Sequence, residues 1–298
     1  MLPKRRFSDH PATFCLLTCL QRYCNRAGGE LNSFFNVFLN GRPTGSRQAR
    51  QAVLLPPAKS LCYRGKPAKR EGRQEGHGLM KRRDADIVYR RLARAYGPLP
   101  PLQRLQPLDA LIQTILSQNT SDVNSWRAFA SLKKAFKSWL RVAEASVTAI
   151  ERAIRSGGLA HTKAPRIRQV LRIIRQREGR LSLARLGRMT SPEAMAWLTS
   201  LPGIGVKTAS CVLLFSMRRP VMPVDTHVER VTRRLGWVDA RLPVERIGPV
   251  LEQHVPARRI LAMHLYLVQH GRRTCRARRP LCPACPLQLH CAYGSDHS

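Results

Sequence analysis

The sequence predicts an all-α protein. From residue 80 onward apolar residues recur at helical spacing, no alternating strand pattern of comparable strength competes, and the periodic segments are bounded by Ser/Thr caps and Gly stops. A first helix carries Ile87, Leu92 and Ala95 on one side and ends near Gly97-Pro98. Leu108, Leu111, Ile112, Ile115 and Leu116 then follow the i, i+3, i+4, i+7, i+8 rule of a core-facing helix. The turn Gln118-Asn119-Thr120-Ser121 breaks that helix, and Ser121 can cap the next, whose apolar stripe is Val123, Trp126, Phe129 and Leu132. Val147, Ile150 and Ile154 mark another helix, stopped by Gly157-Gly158. Ile167, Val170, Leu171 and Ile174 mark a fifth, stopped by Gly179. Thr190-Ser191-Pro192-Glu193 has the character of a capping box at a helix start. No internal repeat is evident.

The chain has 298 residues, with 52 Lys+Arg against 18 Asp+Glu, a formal charge of +34. That charge selects no fold, but it favours polyanionic partners, and the excess of Arg suits phosphate. Nucleic acid ranks first, an anionic membrane surface second, and a merely soluble basic protein third. No apolar run approaches the roughly 18–20 residues of a spanning helix, so no membrane partner is expected. Ala12–Leu20 is interrupted by Thr and Cys and makes no clear secretory signal. Residues 1–79 differ from the rest: 14 Lys+Arg, four acids (Asp9, Glu30, Glu71, Glu75), frequent Pro and Gly, and no sustained helical period. They read as a disordered or weakly ordered leader, as an organelle transit peptide, or as sequence upstream of a true start at Met80.

The central motif is Leu201-Pro202-Gly203-Ile204-Gly205-Val206-Lys207-Thr208-Ala209. A helix of roughly Pro192–Ser200 enters it and another of roughly Val206–Met217 leaves it. Gly203 and Gly205 permit a tight hairpin, and the free N–H groups at the start of the second helix suit a DNA phosphate. Such a contact positions the duplex without reading its sequence. Lys207 sits in the first turn of that helix, where a cation is disfavoured by the helix dipole. It reads as a phosphate contact or as a nucleophile, whose neutral amine would be favoured by the dipole and by partial burial. Eighteen residues on, Pro223-Val224-Asp225-Thr226-His227-Val228 places Asp225 as the cap of a helix over Thr226–Leu235. Its carboxylate either serves only as that cap or also stabilises charge at a sugar and assists the lysine.

Cys275, Cys282, Cys285 and Cys291 form C-x6-C-x2-C-x5-C, a set that can hold zinc or a [4Fe–4S] cluster. Zinc ribbons use two C-x-x-C knuckles and this segment has one, so spacing leans to iron–sulfur. Arg276, Arg278 and Arg279 lie between the first two cysteines, where a rigid loop would present them to phosphates. Cys211 reads as core, and Cys15, Cys19, Cys24 and Cys62 are given no site.

In this order, LPGIGVKTAS, PVDTHVER, HGRRTC and the four-cysteine spacing resemble the endonuclease III family of helix-hairpin-helix DNA glycosylases, and ILSQNTSD resembles that family's motif further upstream. The resemblance runs over about Lys81–Tyr293. It implies two helical domains flanking a DNA-binding cleft. Residues 80–106 form a first helix packed with the cluster domain, 107–217 a six-helix domain holding the hairpin, and 218–298 a [4Fe–4S] cluster domain. It implies that the substrate nucleotide is flipped out of double-stranded DNA, that Lys207 attacks C1′, and that Asp225 supports the charge and the proton transfers. Gln118 or Asn119 would fill the gap left by the flipped base, the family often having Gln where Asn119 stands. Gly203, Gly205, Thr208 and His227 are carried over as further DNA contacts. The implied activity is excision of damaged, oxidised pyrimidines followed by β-elimination at the abasic site, by a monomer. The alternatives are a mismatch thymine/uracil glycosylase of the same fold and a non-catalytic DNA-binding iron–sulfur protein. The expected location is cytoplasm or nucleoid in a bacterium, nucleus or mitochondrion in a eukaryote.

Overall fold

A computed structural model describes residues 82–295. The reading of residues 1–79 as a leader, the start at Met80 and the four cysteines upstream all lie outside the described residues. Within them the chain is helical, with no strand. The α-helices are α1 (Arg82–Tyr96), α2 (Pro107–Ser117), α3 (Asp122–Phe136), α4 (Trp139–Glu144), α5 (Val147–Ile154), α6 (Ala160–Glu178), α7 (Ser191–Thr199), α8 (Val206–Cys211), α9 (Thr226–Arg234), α10 (Val244–His254), α11 (Ile260–Arg273) and α12 (Ala292–Ser295). None is long and apolar enough to cross a membrane.

Local chemistry sets most of the boundaries. Ser121, Ser138 and Ser146 each accept the N–H three residues on, starting α3, α4 and α5. Thr190 and Glu193 complete a reciprocal capping box at α7. Gly179 ends α6 in the left-handed region, at φ 68°. Between residues 107 and 217 there are seven α-helices rather than six. The additional one, α4, is six residues long and has no period to detect; only the Ser138 cap announces it.

Two apolar cores result. The first gathers the buried stripe of α2, then Leu132, Val142, Ile150, Ile154, Ile167, Leu171 and Leu198. The second gathers Ala85, Val88 and Leu92 of α1 with Val228, Val231, Ile247, Leu251, Met263 and Leu267. After Cys211 the helix widens to π geometry over Val212–Ser216, so the single helix expected over 206–217 changes type midway. That segment serves both cores, Leu213 packing in the first and Leu214 in the second.

Two apolar faces differ from their expected register. On α1 the core stripe is Ala85, Val88 and Leu92, while Ala95 is exposed and Ile87 only half-buried. Val88 and Leu92 turn the helix so that Tyr89 meets Tyr266 edge-on, at 5.8 Å between ring centres. On α3, Val123 is 45% exposed, and the inward positions of the first turn are polar. Asp122 pairs with Arg272 of α11 at 3.0 Å, and Ser125 is fully buried with its hydroxyl on the Asp122 carbonyl at 2.8 Å. A satisfied polar pair takes the inward sites that periodicity assigned to an apolar one.

Candidate active site

The hairpin between α7 and α8 turns at Gly203, whose φ of +71° an L-residue rarely adopts. A Cβ there would also lie 2.3 Å from Nε of Arg166, so the arginine of α6 lies directly against the turn. Gly205 is different: at φ −88° it is the extended N-cap of α8 and needs no special freedom. The first hydrogen bond of α8 runs from Ala209 N to Gly205 O, at 3.0 Å. The N–H groups of Val206, Lys207 and Thr208 therefore precede the helical ladder.

Lys207 is exposed rather than partly buried, and it edges a cavity between α2, α3 and the π segment. Asp225 caps α9 with one oxygen: Oδ1 accepts the N–H of His227 at 2.9 Å and of Val228 at 2.8 Å, and Oδ2 stands outside the cap. Burial alone would raise the Asp225 carboxyl. His264, the Val228 N–H, His227 and Lys207 oppose that, and the balance lies below the ordinary carboxylate value. Asp225 is thus both a cap and an anion near Lys207, and the two charges act with opposite sign on Cys211 and His264. Cys211 is core, as expected, with a thiol raised by burial. His264 was not anticipated. It is buried on α11 with Nδ1 3.0 Å from the Pro223 carbonyl and its ring edge-on to Phe215 at 5.5 Å. Burial pushes it down to about 4, so it is neutral at neutral pH.

The structure separates Gln118 from Asn119. Gln118 is committed at both ends of its amide: Oε1 accepts from Arg166 Nη1 at 3.1 Å, and Nε2 donates to Thr208 Oγ1 at 3.3 Å. Asn119 is exposed, in the left-handed region at φ 52°. Thr208, 4% exposed, turns its side chain inward to this network, leaving only its backbone N–H for a partner. His227 is half-buried, with Nδ1 3.1 Å from Arg230 Nη2 and its Cβ 2.8 Å from where Gly271 would carry its own. α11 approaches α9 that closely because residue 271 is glycine.

The four cysteines line one cavity with His270, Arg234 and Leu287. Arg230 and Arg234, one turn apart on α9, hold the start of this loop. Arg230 Nε donates to the Cys275 carbonyl at 3.0 Å. Arg234 Nη1 reaches Cys275 Sγ at 3.3 Å and the Arg276 carbonyl at 2.7 Å, while Nη2 reaches the Ala277 carbonyl at 3.2 Å. Backbone N–H groups point at two more sulfurs, Leu287 to Cys285 and Gly294 to Cys291, both at 3.4 Å. His270, neutral through burial, sits between Tyr96 Oη at 2.8 Å and Cys285 Sγ at 3.7 Å. Arg276, Arg278 and Arg279 are exposed around the rim. Among the described residues no three His, Cys, Asp or Glu side chains are gathered to hold a single metal ion.

Sequence reasoning missed Arg166, Arg234, His264 and Gln113, a buried amide on α2. For the last two a signal existed: each is a polar residue inside an otherwise apolar helix face.

The profile of the HhH-GPD superfamily of base excision DNA repair proteins matches residues 112–253. An Arabidopsis thaliana protein provisionally named a DNA glycosylase is 39% identical over 165 residues, and the chain spans 56% of its length. Endonuclease III of Thermotoga maritima is 35% identical over 187 residues, 63% of this chain and 83% of that one; its Escherichia coli counterpart is 33% identical over 197 residues, 66% and 88%. A solved endonuclease III–DNA covalent intermediate superposes with a TM-score of 0.63 at 25% identity, covering 74% of this chain and 99% of that one. A thermostable thymine-DNA glycosylase shares the fold at TM-score 0.61 and 18% identity. The chain belongs to the endonuclease III family of base-excision-repair DNA glycosylases and lyases.

Proposed function

We propose that Lys207 is the nucleophile of this enzyme and that Asp225 is the acid–base and electrostatic partner. The observation that carries the reading is their convergence. Lys207 comes from the hairpin and Asp225 from the cap of α9, and each is among the charges that act on Cys211 and His264. In the proposed reaction the Lys207 amine bonds to C1′ of a flipped nucleotide as the C1′–N bond breaks. The electron pair leaves on the base, which takes up a proton. Asp225, with Oδ2 free of its cap, accepts the proton lost by the amine and balances positive charge at the sugar. Opening of the sugar ring gives an iminium. Loss of a C2′ proton then expels the 3′ phosphate, and water releases the lysine.

Binding is read as phosphate-directed. The N–H groups at the start of α8, with Gly203 and Gly205 exposed at the hairpin, suit one strand, and Arg276, Arg278 and Arg279 suit the backbone further along. Asn119 is the residue placed to enter the gap left by the flipped base, because Gln118 is already engaged. The substrate class is a damaged pyrimidine or an abasic site in duplex DNA, bound by a monomer.

Cys275, Cys282, Cys285 and Cys291, which line one cavity, are the residues that would hold a [4Fe–4S] cluster. Burial and mutual repulsion push the Cys285 thiol up to about 11, and Cys291 moves the same way. Such a set calls for cationic compensation, which Arg234 and the two N–H groups supply only in part. The cluster would supply a covalent tie that closes the loop bearing the arginines. Borohydride reduction with abasic-site duplex tests the whole reading. A covalent protein–DNA adduct is expected, and its absence from brown, cluster-loaded protein overturns it.

A further inference from the structure

The cavity beside Lys207 has walls that include the apolar side chains of Leu105, Trp126 and Phe215. Its position is held from below. The Ser216 hydroxyl donates to the Leu105 carbonyl at 2.8 Å, and Arg104 Nε to the Ser216 carbonyl, which fixes the segment after α1 against the π turn. On α2 the wall carries Gln113, 4% exposed, in a helix whose other inward residues are apolar or internally bonded.

The orientation of the Gln113 amide follows from its neighbours. The Ser125 hydroxyl has one proton, and it goes to the Asp122 carbonyl at 2.8 Å. Toward Gln113, therefore, Ser125 can only accept, so Nε2 must face it, at 3.4 Å. Among the described residues Gln113 Oε1 has no hydrogen-bond partner, and it is not one of their sealed, unsatisfied polar atoms. A buried amide oxygen open only to a cavity costs free energy unless something in that cavity donates to it. Thr114, adjacent on the same wall, has also spent its proton, on the Ala110 carbonyl at 2.7 Å. This wall presents acceptors and no donor.

We infer that Gln113 is a specificity-determining residue that takes an N–H from the pairing edge of the flipped base. The ligand chemistry is a pyrimidine carrying an N–H donor on that edge, either an imide N3–H or an exocyclic amine. The inference rests on the proposed function, since the cavity is a base pocket only if Lys207 is the nucleophile. Trp126 and Phe215 give the cavity apolar surface, and Lys207 stands at its edge, where C1′ would lie.

The test compares base excision with trapping at an abasic site, which carries no base to recognise. Gln113→Leu is expected to lower kcat/KM for excision of dihydrouracil or 5-hydroxycytosine by roughly 10- to 100-fold, while borohydride trapping on abasic DNA is unchanged. Whichever substrate loses more identifies the donor as N3–H or amine. The wild type should reject an N3-methylated dihydrouracil, and Gln113→Leu should lose that discrimination. Ser125→Ala, which frees the amide to rotate, should weaken the discrimination several-fold and leave trapping intact. Unchanged excision by Gln113→Leu overturns the inference, as does an equal fall in excision and trapping, which would make Gln113 structural. No trapping by the wild type would instead overturn the proposed function.

Discussion

The two apolar cores handle buried polarity in opposite ways. In the first, the Gln113 carbonyl oxygen aside, buried polar side chains meet fixed neighbours: Lys163, 2% exposed, donates to the Leu116 and Gly157 carbonyls at 2.7 and 2.9 Å, and Ser125 bridges the Gln113 amide nitrogen to Asp122. The second holds groups that titrate or ligate, namely His264, His270, Tyr96, Cys285 and Cys291, each shifted chiefly by burial. The first core is a platform that carries the hairpin and the proposed base pocket. The second supports the chemistry and depends more on pH and on what its cysteines hold. Lys207 follows the hairpin of the first core and Asp225 caps α9 of the second, so damage to either core should reach the proposed reaction by a different route.

The sharpest way to break this comparison is at the junction. Lys207→Gln removes the proposed nucleophile and leaves both cores unaltered, since the side chain is exposed. Strand cleavage at abasic sites should fall on the order of a thousandfold or more, and borohydride trapping should vanish. An unchanged melting temperature checks that only chemistry was lost. Normal trapping would show that another amine attacks.

The next effect separates the cores by acid. His264 is neutral in the folded protein down to about pH 4, against 6.5 for the free side chain. Between those values the unfolded chain binds a proton that the folded chain refuses. Stability therefore falls as pH drops from 6.5 to 4, by up to about 3 kcal/mol from this group. Its charged neighbours, Asp225, Lys207 and Arg272, modify the slope but not its sign. Denaturant unfolding across this range should show the loss, and His264→Leu should remove its share, leaving the slope from His270, which burial also pushes down to about 4. An equal slope in that variant would place the acid sensitivity elsewhere.

Lys163→Met tests the platform. It strips the donor from the Leu116 and Gly157 carbonyls, which lie at the end of α2 and before α6. The expected cost is about 2 kcal/mol, or roughly 4–8 °C in melting temperature. Because α2 carries Gln113 and ends at Gln118, excision should suffer more than visible absorbance from the cysteine site. A loss of cluster colour that matches the loss of stability would argue that the cores fold as one.

What the sequence disclosed and what it hid follow the same division. Repeating contacts were legible. The α2 stripe, the α6 stripe and the Thr190–Glu193 box each lie within a few residues of chain, where a period or a cap shows itself. So were the glycine hairpin before Lys207 and the Asp225 cap, because both are local signatures. Contacts closed over long separations were not. Arg166 reaches Gln118 across 48 residues, Arg234 reaches Cys275 across 41, and His264 reaches Pro223 across 41. Nothing in a single arginine marks which carbonyl or sulfur it will meet. The inward turn of Thr208 and the exposure of Val123 were misjudged for the same reason, since partners from distant helices decided both.

The smallest effect tests how firmly the cores are joined. Arg272 of α11 pairs with Asp122 of α3 at 3.0 Å, their side chains 29% and 15% exposed. Such a half-exposed pair contributes about 0.5–1 kcal/mol, and Asp122→Asn should lower the melting temperature by only a few degrees. The more telling readout is cooperativity. Asp122 also supplies the carbonyl that fixes Ser125, and that bond belongs to the backbone, so the Gln113 anchor survives the substitution. If the pair ties the cores, the variant should show amide exchange in α9 and α11 parting from that in α2 and α3, with excision nearly unchanged. If exchange in all four helices rises together, the π segment that feeds Leu213 to one core and Leu214 to the other carries the coupling instead.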